Sequence, residues 1–312
     1  MRVVTTLVYL VEDASLFLCN LQIAMNEVGV NINVFALMSN GKEFLIAGGK
    51  TTQISRYKFM VCLVLLKSYD KTSHPDRPYC GGSIIRRQWI LTAAHCLGKS
   101  QWFDADEAIK RKALVARGNT SYCSTGENHV DHVAIAYILH PKFNYTTDND
   151  IAVLRVEQPF IGLNEQSVKL APSSYKYTID GIAFVIGWGV TDITNQLRYV
   201  DIKILNLKKC KEIWSASGIH FEVTPLNFCA GWIRDGKHAC SGDFGGPLID
   251  KNKFLIGVTS WGKTSCGNRL PGIYVRLPSF IKWINDEIEK ERELEIYHLP
   301  LHFIENVKIK FR

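Results

Sequence analysis

Short apolar runs separated by turn-forming residues are the feature that most restricts the fold of this 312-residue chain. The run at 59–66 is typical of a buried strand, and shorter runs of the same kind follow at 83–85 and 89–92. Loops such as His-Pro-Asp-Arg-Pro at 74–78 separate them. Only the stretch at 279–291 has apolar residues at helical spacing. The sequence therefore predicts an all-β barrel or sandwich with one C-terminal helix.

The composition is that of a globular protein, with 46% hydrophobic and 21% charged residues and no internal repeat or low-complexity run. Its length suits one large domain or two smaller ones. The formal net charge of +7 comes from scattered basic residues. A solvated basic surface is therefore a better interpretation than a nucleic-acid site.

Nine cysteines are many for a cytosolic protein, and none belongs to a C-x-x-C pair of the zinc or redox type. A disulfide framework is favoured, which predicts a secreted, extracellular protein. Two N-x-S/T sequons, at Asn119 and Asn144, fit a secreted glycoprotein, although chance explains them equally well.

The first 45 residues support secretion less clearly. Arg2 and the apolar run at 3–11 resemble a short signal peptide. That run is too short to cross a bilayer, which needs about 20 apolar residues. No small-x-small cleavage site is visible, so a degenerate signal or a wrongly assigned first exon fits as well as a true signal.

A loop at 240–248 reads Cys-Ser-Gly-Asp-Phe-Gly-Gly-Pro-Leu, which excludes a helix or an ordinary strand. Together with Leu-Thr-Ala-Ala-His-Cys at 91–96 and Asp-Ile-Ala-Val-Leu at 150–154, it closely resembles the trypsin-like serine proteases. The resemblance extends over 46–290. In that family the loop reads Gly-Asp-Ser-Gly-Gly-Pro and its serine is the nucleophile, whereas this chain has Phe244 at that position.

The resemblance implies two packed six-stranded antiparallel β-barrels with the site in the cleft between them. We expect the first barrel at about 46–160, the second at about 161–278 and the C-terminal helix at about 279–291. Residues 1–45 are then a leader or pro-segment. For the tail at 292–312, an unstructured end is favoured over a partner-binding segment.

By the same resemblance, His95 occupies the position of the general base and Asp150 that of the carboxylate that orients it. The family's reaction also needs a hydroxyl nucleophile. Phe244 has no oxygen, so no acyl-enzyme can form on it. Neither Ser241 nor Ser260 replaces it easily. A sequencing error or rare allele remains the alternative, since one base separates the codons for serine and phenylalanine.

The rest of the family's cleft is retained in the sequence. The backbone N–H groups of Gly242 and Phe244 match the oxyanion hole. A three-residue segment matches the strand that pairs with a bound peptide. It consists of Ser260, Trp261 and Gly262.

His238 falls on the floor of the specificity pocket, where a trypsin carries an aspartate, and Gly262 and Gly272 keep the pocket walls low. An imidazole offers no fixed negative charge, so the pocket is not trypsin-specific. A metal site of His95, Asp150 and His238 is not expected, since the family's layout separates His238 from the other two.

The motif Ile-Ala-Gly-Gly at 46–49 resembles the N-terminus that trypsin-like zymogens expose when cut. In the family, the amine of such a residue as Ile46 pairs with the acid that here is Asp243. Leu45 is not basic, so a trypsin-like activator is not expected to cut there. A Gly-Gly turn before a strand explains the motif equally well.

The resemblance implies three disulfides, Cys80–Cys96, Cys210–Cys229 and Cys240–Cys266. Cys19, Cys62 and Cys123 remain. A buried, free Cys62 is slightly favoured over a Cys62–Cys123 bond, because sequence alone cannot establish the pairing.

The sequence thus predicts a secreted, catalytically inactive serine protease homologue that binds a protein or peptide, such as another protease or its substrate, and regulates proteolysis. No cofactor, nucleic acid or stable membrane span is expected. The alternative is an active serine endopeptidase of non-tryptic specificity, which requires that Phe244 is an error or that another nucleophile substitutes for it.

Overall fold

The structure is a computed structural model that describes most of the chain from 49 to 298. The described residues are 49–69, 76–101, 103–124, 128–145, 148–189, 196–218, 222–233, 239, 242–262 and 270–298. The predicted leader at 1–45 lies outside them, and so do residues 299–312 of the predicted tail.

Six antiparallel strands form a closed first barrel. They are β2 (Met60–Leu65), β3 (Arg77–Arg86), β4 (Trp89–Thr92), β5 (Leu114–Gly118), β6 (Val130–Leu139) and β7 (Ala152–Val156). Their order around the barrel is β2-β3-β4-β7-β6-β5. The apolar run at 59–66 is a strand as predicted, and every residue of β2 is buried.

The second sheet combines six longer strands with two short ones. Its members are β1 (Lys50–Thr51), β8 (Lys169–Leu170), β9 (Ile182–Gly187), β10 (Arg198–Lys203), β11 (Asn227–Ala230), β12 (Pro247–Asp250), β13 (Phe254–Trp261) and β14 (Gly272–Arg276). Their order is β1-β10-β9-β12-β13-β14-β11, and β8 lies parallel to β13 off this path. The sheet curls into a half-barrel, and an isolated bridge between Ile204 and Ala230 joins the ends of β10 and β11.

The predicted fold class is confirmed, with a closed barrel, a second half-barrel sheet and a C-terminal helix. One segment crosses between the two sheets. β1 precedes the first barrel in the sequence but pairs with β10 of the second sheet. The N–H of Thr52 extends this contact by donating to the carbonyl of Leu197 at 2.8 Å.

Three α-helices lie among the described residues, α1 (Ala105–Lys110), α2 (Leu207–Ala216) and α3 (Ile281–His298). The sequence predicted only α3, and α3 continues past the predicted end at 291. Its residues Ile284 and Ile288 are buried in the main apolar core. No helix of the described chain is long and apolar enough to cross a membrane.

The predicted disulfides Cys80–Cys96 and Cys210–Cys229 are present, and Cys240–Cys266 lies outside the described residues. The preference for a free Cys62 is wrong, because Cys62 is bonded to Cys123. Cys62 lies on β2 opposite Arg117 of β5. The chain leaving β5 then returns past β2, which brings the two Cα atoms to 6.2 Å. This approach depends on strand pairing and has no local signal in the sequence.

Candidate active site

His95 and Asp150 form the bonded pair that the resemblance implies. The Nδ1 of His95 lies 2.8 Å from Oδ2 of Asp150, and the backbone N–H of His95 donates to Oδ1 at 2.8 Å. The hydroxyl of Ser260 donates to Oδ2 at 2.6 Å. Because Asp150 is fully buried, these bonds replace water around the carboxylate and hold the imidazole in one orientation.

Two antiparallel strands bring this pair together. Thr92 at the end of β4 lies opposite Ala152 at the start of β7. His95 follows Thr92 in a 3-10 turn, and Asp150 precedes β7 closely, so both residues emerge at the same end of the barrel. The Cys80–Cys96 disulfide ties that turn to β3.

Phe244 lies in the turn before β12, and backbone contacts fix that turn. The carbonyl of Phe244 accepts the N–H of Gly81 at 2.7 Å, and the N–H of Gly245 donates to the carbonyl of Thr259 at 2.8 Å. Gly245 has φ of +76°, and a Cβ there would collide with the hydroxyl of Thr92 and lie 2.6 Å from the carbonyl oxygen of Gly81. Only glycine fits this position.

Two aromatic side chains flank the His95 ring. The Phe244 ring lies edge-on to it, with 5.4 Å between the centroids, and the Trp261 ring lies at 5.6 Å. The Nε2 of His95 lies 3.7 Å from Sγ of Cys96, a disulfide sulfur. Within the described chain no hydroxyl contacts Nε2. Among the described residues, the neighbours of the nitrogen that would accept a proton from a nucleophile are therefore a disulfide sulfur and aromatic rings, none of which can donate a proton.

An irregularity in β13 places the next two cleft residues. The register of β13 against β14 shifts between Thr259 and Trp261, so Ser260 is an extra residue in that strand. This β-bulge turns the Ser260 hydroxyl onto Asp150 and lays the half-buried Trp261 against His95. The structure therefore brings Ser260 and Trp261 together with the predicted pair.

Comparison with known proteins identifies the family. The family described as Trypsin matches residues 46–284. The chain belongs to the trypsin family. It is 35% identical to the venom peptide isomerase heavy chain of Agelenopsis aperta over 77% of this chain and 98% of that protein. It is 31% identical to alkaline trypsin A of Manduca sexta over 77% of this chain and 90% of that protein. It is 32% identical to the thrombin-like enzyme gloshedobin of Gloydius shedaoensis over 78% of this chain and 87% of that protein.

The two glycines predicted to keep the pocket walls low have different surroundings. A Cβ on Gly262 would meet no atom of the described residues within 4 Å, whereas a Cβ on Gly272 would lie 2.9 Å from the hydroxyl of Tyr274. Tyr274 is fully buried, and that burial raises the pKa of its hydroxyl above the usual 10.0. No sequence motif pointed to Tyr274, because its place beside Gly272 depends on the pairing of β14 with β13.

The predicted oxyanion hole consists of backbone N–H groups in the turn that carries Phe244. Gly242 adopts φ of +88°. Gly245 and Gly246 donate their N–H groups at 2.8 and 2.9 Å to carbonyl oxygens. Among the described residues, the N–H groups of Gly242 and Phe244 have no protein acceptor, and their role as an oxyanion hole stays a prediction.

Asp243 has a fully buried carboxylate, whose Oδ1 accepts the N–H of Gly189 at 2.9 Å. Its predicted partner, the amine of Ile46, lies outside the described residues together with Leu45. His238 lies outside them as well, so its place on the pocket floor stays a prediction.

One group of metal-ligand types occurs among the described residues. Ligand atoms of Cys80, His95 and Cys96 lie within 4.8 Å of one another. The two sulfurs are bonded to each other, so neither is a thiolate. Only the imidazole is left as a ligand, which is too few for a zinc site.

The two sequons differ in their surroundings. The Asn119 amide donates to the carbonyl of Asn128 at 2.9 Å and accepts the N–H of Asn164 at 3.0 Å. A glycan on this nitrogen would disturb the first bond. Asn144 is exposed and is therefore the better candidate for glycosylation.

Proposed function

We propose that this chain is a secreted member of the trypsin family that does not hydrolyse peptide bonds and acts by binding a protein or peptide. The observation that carries the proposal is the Phe244 ring at the nucleophile position, edge-on to His95. A benzyl group has neither a lone pair to attack a carbonyl nor a proton to give to the imidazole.

Loss of the nucleophile removes most of the catalytic power. In the trypsin family's own triad, removing any member leaves only about 10³–10⁴-fold acceleration, which comes from the oxyanion hole and substrate binding. Even this remainder requires a substrate carbonyl next to His95. The Phe244 ring at 5.4 Å competes for that space, so we expect no useful turnover.

Peptide binding does not require the nucleophile. The segment of Ser260, Trp261 and Gly262 is proposed to pair with an extended peptide as an added antiparallel strand. The half-buried position of Trp261 at the end of β13 supports this role. A partner protease or its substrate could provide such a peptide.

Secretion is supported by the three disulfides of the described residues, because such bonds persist in oxidising compartments. We propose Asn144 as the glycosylated sequon. We also propose that cutting before Ile46 lets its amine pair with Asp243.

The alternative, an active endopeptidase of non-tryptic specificity, is favoured by one observation. His95, Asp150 and Ser260 keep the bonding that an enzyme of this family needs. Two of the relatives above are named as a trypsin and a thrombin-like enzyme, and one as a venom peptide isomerase heavy chain. Membership of the family therefore does not settle the reaction by itself.

Labelling with a fluorophosphonate probe separates the two functions, because the probe forms a covalent bond with an activated serine. We expect no labelling of the natural chain at this site, and labelling of a Phe244→Ser variant cut before Ile46. A Phe244→Ala variant is the matched control, since it removes the ring without adding a hydroxyl, and it should stay unlabelled. Labelling of the natural chain that is lost in His95→Ala would contradict the proposal.

A further inference from the structure

A cleft of about 350 Å³ opens between three segments that are far apart in the sequence, 55–59, 166–169 and 252–253. It shares no residue with the site around His95. Two of its lining residues, Phe59 and Val168, are largely buried and give it an apolar interior. Its volume is that of a small-ligand pocket, which is enough for one large side chain and part of its backbone.

The charged residues that line this basic cleft are all positive. They are Arg56, Lys58, Lys169 and Lys253. Among the described residues, none of the four takes part in an ion pair. Four like charges around one cavity repel each other and create a positive potential that attracts an anionic ligand.

Two acidic residues that adjoin the cleft segments in the sequence are buried and bonded to other groups. Asp250, in the turn that carries Lys253, is buried, and its Oδ1 accepts the N–H groups of Asn252 and Phe254 at 2.9 Å. Glu165, next to the middle segment, is buried against His132, with 2.8 Å between Oε1 and Nε2. Neither carboxylate lines the cleft.

An exposed apolar side chain lies next to the cleft. Leu163 is 83% exposed. The ammonium of Lys58 donates to the carbonyl of Leu163 at 2.9 Å and so ties this apolar rim to the basic cleft.

We propose that the basic cleft binds an acidic peptide segment of a partner protein. An apolar side chain of that segment packs on Phe59 and Val168, and its carboxylates pair with Lys169, Lys253 and Arg56. A sulfated oligosaccharide would satisfy the charges but would leave the apolar interior and rim unused, so the peptide fits the cleft better. The inference does not depend on whether the chain hydrolyses peptides.

The test uses a fluorescently labelled peptide, Glu-Glu-Leu-Glu-Glu-Leu, and its all-glutamine counterpart, Gln-Gln-Leu-Gln-Gln-Leu. Fluorescence anisotropy should show binding of the acidic peptide that weakens with added salt, and much weaker binding of the glutamine peptide. Reversing two charges in Lys169→Glu/Lys253→Glu should weaken binding about tenfold or more, since two partly exposed pairs are replaced by repulsion.

The matched control is Lys176→Glu/Lys251→Glu, which changes the net charge equally at exposed lysines that do not line the cleft. It should keep binding within about twofold of the natural chain, with an unchanged melting temperature in both double variants. Leu163→Ser should weaken binding without changing its salt dependence. The proposal fails if both double variants lose binding equally, or if only a sulfated hexasaccharide binds and Lys169→Glu/Lys253→Glu abolishes that binding.

Discussion

The Phe244 ring meets the His95 imidazole edge-on, with 5.4 Å between the centroids and 80° between the planes. On its other side the imidazole is held by Asp150 through Nδ1 at 2.8 Å. A buried carboxylate thus holds the imidazole on one side, while an aromatic ring lies beside it on the other. We expect the bonds of Asp150 to stabilise the fold whether or not the chain hydrolyses peptides.

Replacing Asp150 with asparagine should lower stability. The amide has no charge, and its NH₂ group can no longer accept the bonds from Ser260 and from Nδ1 of His95. We expect a loss of about 2 kcal/mol in the free energy of unfolding, measured by urea titration. Asp286→Asn is the control, since Asp286 makes an exposed helix pair with Lys282, and it should cost less than about 0.5 kcal/mol. Equal losses in both variants would contradict a structural role for Asp150.

Replacing Gly245 with alanine should disturb the turn that carries Phe244. The position has φ of +76°, and a Cβ there would collide with Thr92. We expect a loss of at least about 2 kcal/mol in thermal or urea unfolding. Gly218→Ala isolates the backbone contribution, because Gly218 has φ of +74° and a Cβ there would meet no described atom within 4 Å. That variant should lose only about 1 kcal/mol. If Gly245→Ala costs no more than Gly218→Ala, the turn is less tightly held than its contacts indicate.

The buried Glu165 should make the stability sensitive to acid. Burial alone would raise its pKa, but the bonds from His132 and from the N–H of Gly162 outweigh burial and hold the pKa below the ordinary 4.5. The folded state therefore binds this proton less readily than the unfolded state. The ionised Glu165 carboxylate therefore stabilises the fold above pH 4.5. This stabilisation is lost as the pH falls through the lower pKa that Glu165 has in the folded state.

Urea titrations of the natural chain and Glu165→Gln at pH 7 and at about pH 3 test this dependence. The natural chain should be the more stable at pH 7, and the difference should shrink in acid as its carboxylate is protonated. A difference that stays the same at both pH values would rule out this role for Glu165.

The Cys62–Cys123 bond predicts a defined peptide map and a large effect on stability. Digestion without reduction should release one peptide pair that contains both cysteines, and a free thiol at Cys62 would contradict the structure. The bond closes a loop with a sequence separation of 61. Removing it in Cys62→Ala/Cys123→Ala should cost about 4 kcal/mol in the chain-entropy account.

Local motifs made part of this structure predictable. The residues around His95 and Asp150 carry family motifs, and the apolar run at 59–66 has the composition of a buried strand, so both were predicted from neighbouring residues alone. The short helix α2 was missed because its ten residues bury only Cys210 and Trp214, too few for a clear helical period.

Contacts between distant segments were not predictable. The bond from Ser260 to Asp150 joins residues 110 positions apart and depends on a bulge in β13. The Cys62–Cys123 pairing depends on how β5 lies against β2. The basic cleft likewise appears only when three separate segments meet, whereas the sequence shows scattered lysines and arginines.

The most direct test of the central claim is peptide turnover by the natural chain. Protein whose Phe244 has been verified by mass spectrometry, both uncut and cut before Ile46, is incubated with a diverse peptide mixture, and products are detected by mass spectrometry. His95→Ala, prepared in the same way, identifies any contaminating protease. We predict no cleavage that distinguishes the natural chain from His95→Ala. Cleavage by the natural chain that His95→Ala lacks would show that this site is an active endopeptidase.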